Sequence, residues 1–188
     1  MNEHTVLVLL AIAGVAATFA GFSGVVAAFG RRTDGKWLPE ERFRLTNMLI
    51  TSLGACLFAF VPLTEELLHV PETSLWTTSS TLLGAFCAVY VLYAMPHRKR
   101  LDWFRPGLLP VWATAVFVLS LCSGAVLQAL NAVAILVERG GGPYVAGLLL
   151  LLVAAGLQFA FLVLAPFSLA DGGNRADEPH DGRKSQGE

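Results

Sequence analysis

The residues best placed to do chemistry are Glu66 and His69, a carboxylate and an imidazole three positions apart. On a helix, Glu-x-x-His supplies half of a di-iron carboxylate site, which needs matching Glu and His residues from other helices. The other histidines are His4, His97 and His180. The loop charges described below put only His4 on the same side, so no metal is expected. Cys56, Cys87 and Cys122 each fall near the middle of an apolar stretch, and there is no Cys-x-x-Cys. They read as packing residues. Gly140-Gly141-Gly142 before Pro143 lacks the Lys and Ser/Thr of a phosphate loop and reads as a turn. A Ser or Asp nucleophile needs a base within reach, and no histidine lies inside an apolar stretch. The chain is therefore not expected to be an enzyme, and no cofactor is expected. The remaining polar candidates are Glu65, Glu66, His69, Thr78, Thr81, Gln128 and Asn131. They could line a shallow outward-facing vestibule. The plainer alternative is that the hydroxyls and amides bond to neighbouring helices, at about 0.6–2 kcal/mol each. Gln158 has the same plainer reading.

Five apolar segments must position these residues, roughly 6–29, 45–63, 76–95, 108–136 and 144–167. Each is close to or above the roughly 20 residues that cross a hydrocarbon core of about 30 Å. None has Asp, Glu, Lys or Arg in its interior, and charged residues make up only 14% of the chain. A soluble domain would carry about 25% and would show polar stripes along its helices. The expected fold is all-α: an integral membrane helix bundle of five transmembrane helices. Absence of buried charge argues against an ion-coupled transporter.

Every Lys and Arg except Arg139 lies in the first loop, the third loop or the C-terminal tail. The first loop holds Arg31, Arg32, Lys36, Arg42 and Arg44, and the third holds Arg98, Lys99, Arg100 and Arg105. The second loop has only Glu65, Glu66 and Glu72. Basic residues of short loops stay on the cytoplasmic side, so the N-terminus is expected outside and the C-terminus inside. Arg31, Arg32, Arg98, Lys99 and Arg100 are expected to meet anionic inner headgroups. A nucleic-acid partner is not expected from so short a basic cluster. Residues 6–20 have the length of a signal-peptide core, but Met1–His4 lack Lys and Arg and the apolar run continues to Phe29. The first helix is therefore expected to be retained. Residues 1–170 form one membrane domain, and 171–188 read as a disordered cytoplasmic tail. Pro39, with Glu40 and Glu41 behind it, marks the start of the second helix. Pro62 would kink or end it.

The first helix is dense in small residues. Gly14, Ala17, Gly21, Gly24 and Ala28 recur at intervals of three and four, which puts them on one face. In lipid, such a face lets another backbone approach closely and drives helix association. It serves either packing within this chain or a contact between subunits.

The stretch from Ala20 to Arg32, AGFSGVVAAFGRR, and Glu41-Arg-Phe-Arg-Leu45 resemble short uncharacterised bacterial multi-span membrane proteins. The resemblance covers about a quarter of the chain and implies no activity. The Ala, Leu, Gly and Arg bias of the chain suits a bacterial inner membrane. The expected role is a structural or accessory membrane subunit, in a homo-oligomer or with another membrane protein. The alternative is a small channel or small-solute transporter whose entrance contains Gln128 and Asn131. A lipid-modifying enzyme using Glu65, Glu66 and His69 is a more distant third.

Overall fold

The structure, a computed structural model, describes residues 1–29, 39–100, 111–136 and 138–173. Among these residues there are five helices: α1 (Glu3–Phe29), α2 (Pro39–Leu67), α3 (Glu72–Arg100), α4 (Val111–Val133) and α5 (Gly141–Gly173). All five are long and apolar enough to cross a membrane. In hydrocarbon every backbone N–H and C=O must be satisfied within the protein, and a helix does this within one segment. The hydroxyls do the same. Thr18, Thr51, Ser52, Thr64, Thr77 and Thr81 each donate to the carbonyl four residues earlier.

The helix ends follow local chemistry. Asn2 caps α1, its Oδ1 accepting from the Thr5 amide at 2.8 Å and the Thr5 hydroxyl at 2.6 Å. α2 begins at Pro39, as the Pro-Glu-Glu signal predicts. It runs through Pro62 to Leu67, four residues past the expected end of the second segment. α3 extends past Met95 to Arg100. α4 stops at Val133 instead of reaching Leu136, because Ala134 turns left-handed at φ 55°. α5 reaches Gly173, three residues into the stretch read as tail. Arg31, Arg32, Arg105, the first residues of the fourth segment and 174–188 lie outside the described residues.

Two helices form the centre. α2 and α5 pack on each other, α1 lies against both, and α3 and α4 pair on the other side, against α2 and α5 respectively. The N-terminus, the α2–α3 turn and the α4–α5 turn share one end, here the turn end; the other is the basic end. The middle of the core is apolar and includes Leu9, Ala16, Ala55, Ala59, Leu83, Leu121, Leu148 and Leu151. Buried alanines occur on both helices of the α1–α2 contact, Ala13 and Ala16 on α1 and Ala55 and Ala59 on α2. Large apolar side chains also cover the outside, among them Leu57, Leu82, Leu92, Leu119 and Leu149. So continuous an apolar exterior is far beyond what a soluble monomer exposes and, with five candidate spans, suggests a multi-pass membrane protein.

Candidate functional site

The turn end gathers most of the polar candidates, but it does not gather them around one opening. Glu65, in the last turn of α2, accepts from the Thr78 hydroxyl at 2.6 Å and from the Ser79 hydroxyl at 2.8 Å, which ties α2 to α3. Glu66 points to the other side and meets the Met1 ammonium at 3.1 Å. Thr81 bonds back to Thr77 on the exposed face of α3.

Gln128 and Asn131 are wholly buried. Asn131 Nδ2 donates to Ser80 Oγ at 2.7 Å and to the Gly140 carbonyl at 3.2 Å, while its Oδ1 accepts from the Gly140 amide at 3.1 Å. One side chain thus joins α4 to α3 and closes the α4–α5 turn. Gln128 Nε2 donates to the Pro143 carbonyl at 2.9 Å. Its side chain fits between two glycines. A Cβ at Gly84 would lie 3.1 Å from Gln128 Cβ, and a Cβ at Gly147 would collide with the amide. Gln128 Oε1 is buried with no donor in reach. Both amides therefore act as the alternative reading of these residues requires, bonding helix to helix, and neither reaches the surface.

His69 stands apart from any ligand set. It is exposed at the end of α2 with φ 58°. Its amide donates to the Glu66 carbonyl at 2.9 Å, and the Val70 amide donates to the Glu65 carbonyl at 3.1 Å. This is the pairing of a Schellman helix end with His69 in the left-handed position. The three-residue spacing of Glu66 and His69 is thus the geometry of a helix terminus. Among the described residues no group of three or more His, Cys, Asp or Glu is placed to hold a metal ion. Cys87 is buried, and Cys56 and Cys122 are half-buried. A shallow groove of about 470 Å³ runs beside Cys122, Ser123, Val126, Leu127, Leu130 and Leu150, and its lining is mostly apolar.

Sequence reasoning missed two buried polar links. At the basic end, the Tyr90 hydroxyl of α3 donates to Asn47 Oδ1 of α2. Arg44, Asn47, Thr51 and Ser52 are all buried in α2, and the three- and four-residue spacing of Arg44, Asn47 and Thr51 was the available signal. At the turn end, the Tyr144 hydroxyl of α5 donates to the Phe58 carbonyl at 2.6 Å. The signal there was Pro62, four residues after Phe58.

The small-residue face of α1 is the remaining candidate. α1 turns Leu9, Ile12, Ala13, Ala16 and Ser23 inward. Gly14, Ala17, Gly21, Gly24 and Ala28 are exposed. A Cβ built at Gly14, Gly21 or Gly24 meets nothing within 4 Å. Among the described residues, the stripe is therefore not used for packing. Arg98, Lys99 and Arg100 close α3 at the basic end. The chain matches no protein-family model, no curated protein and no solved structure.

Proposed function

We propose that this protein is a structural or accessory subunit of a bacterial inner-membrane assembly, and that its first helix is the contact to a neighbouring transmembrane helix. The observation that carries this reading is the open face of Gly14, Ala17, Gly21, Gly24 and Ala28. Elsewhere the exterior presents large side chains such as Leu57, Leu92 and Leu119, which fill the space against lipid tails. The α1 stripe instead presents small side chains to the outside, with the exposed Val15, Phe22 and Val25 along one flank. Lipid and apolar side chains are equally hydrophobic, so association in the bilayer depends on close backbone packing, which such a groove permits. α1 is also the least covered helix, with 22% of its apolar window buried against 44% for α2. The basic loops orient the bundle with the N-terminus outside and the C-terminus in the cytoplasm. The alternative, a channel or transporter entered at Gln128 and Asn131, has no exposed amide to support it.

The test is the native mass of the protein in lipid nanodiscs. The expected result is a defined multiple of the 20.1 kDa chain, or a mass that includes a second polypeptide. The Gly21→Leu, Gly24→Leu double variant should dissociate that assembly. Its monomer should fold normally, because the new side chains enter open space. A variant that remains assembled, or a wild-type chain that is monomeric and alone, would overturn the reading.

A further inference from the structure

Pro62 is fully buried inside α2, and the helix continues past it. Proline has no N–H, so the carbonyl four residues earlier loses its donor within the helix. That carbonyl belongs to Phe58, and it is the one that accepts the Tyr144 hydroxyl at 2.6 Å. Tyr144 is itself wholly buried, its ring 5.9 Å from Trp76 between centroids. A bond from α5 thus replaces the one bond that α2 cannot make. Beyond Pro62, the end of α2 is tied to two other elements. Glu65 holds the Thr78 and Ser79 hydroxyls of α3, and Glu66 holds the Met1 ammonium beside α1.

We propose that Pro62 is a hinge in α2, that the Tyr144 hydroxyl is its latch, and that residues 63–68 swing with the start of α3 when the latch opens. Sharp bends in helices occur where a rung of the hydrogen-bond ladder is missing, and Pro62 places that gap within the bundle. The Tyr144 hydroxyl bond from α5 restrains the gap, so making or breaking it gives α2 two discrete positions. The Glu65 contacts carry the motion to α3, because both hydroxyls belong to its first turns. The inference does not depend on the assembly reading.

Amide hydrogen exchange in lipid nanodiscs tests it, since exchange reports local opening. Residues 63–68 are compared with residues 48–57 on the near side of Pro62. Tyr144→Phe keeps the ring and removes only the hydroxyl. Leaving the carbonyl without a donor should speed exchange in 63–68 by about tenfold, with 48–57 unchanged. Pro62→Ala returns the missing N–H. Tyr144→Phe made in that background should change exchange by less than about twofold. No rise in 63–68, an equal rise in both segments, or the same rise after Pro62→Ala would each overturn the hinge.

Discussion

Ala134 and His69 do the same job at two helix ends. Each takes the left-handed conformation, with φ of 55° and 58°, that lets the following amide reach back across the helix terminus. At Ala134, the Ile135 amide donates to the Leu130 carbonyl at 3.2 Å, the counterpart of Val70 to Glu65 at the end of α2. A residue with a Cβ loses about 1–2 kcal/mol in this conformation, and glycine does not. Ala134→Gly should therefore stabilise the fold by about 1 kcal/mol, read as a higher thermal unfolding midpoint in detergent. A lower midpoint would mean that Ala134 makes a contact worth more than its strain. Glu66 and His69 were legible as a pair in the sequence. Their purpose was not, because the spacing of a metal half-site and the spacing across a helix end are the same.

The helices differ in what their glycines do. Gly147 of α5 and Gly84 of α3 leave room for the Gln128 side chain of α4, whereas Gly14, Gly21 and Gly24 of α1 face none of the described residues. Gly147→Ala should cost about 1–3 kcal/mol through overpacking and break the Gln128 bond to Pro143. Gly21→Ala should cost the monomer nothing and add up to about 1 kcal/mol through better helix propensity. Comparing the unfolding midpoints of the two variants, both held monomeric in detergent, checks this. Equal losses would mean that the α1 face is packed after all. From sequence, the first helix showed its small-residue stripe plainly, but two faces carried small residues. Ala13 and Ala16 turned out to meet the core, and only the packing of α1 on α2 and α5 separated that face from the Gly14–Ala28 face.

At the scale of the whole molecule, the proposed orientation rests on the alternation of basic and acidic loops. A cysteine introduced at Thr73, exposed in the first turn of α3, should react with an impermeant maleimide on intact spheroplasts. One at Lys99 should react only after permeabilisation. The native cysteines provide a quiet background, since Cys56, Cys87 and Cys122 lie within the candidate spans. The reverse labelling pattern would show that the charge rule has been applied with the wrong sign.

The number of helices, their apolar character and the start of α2 at Pro39 were all determined by the sequence alone. Each depends on local matters: the length of an apolar run, the absence of charge, and the fixed φ and missing N–H of a proline. The polar residues were visible too, but not their partners. Asn131 meets Ser80 across 51 positions of chain, and Tyr144 meets Phe58 across 86. No periodicity within one helix encodes such pairs, because helices that are apolar all round do not specify which face turns inward. Only the tertiary structure decided that Gln128 and Asn131 are interior bonds, that Tyr144 completes the ladder Pro62 interrupts, and that the glycine face of α1 is left open. The physical reason is that buried polar groups must be paired, and the pairing becomes defined only when the five helices are packed together.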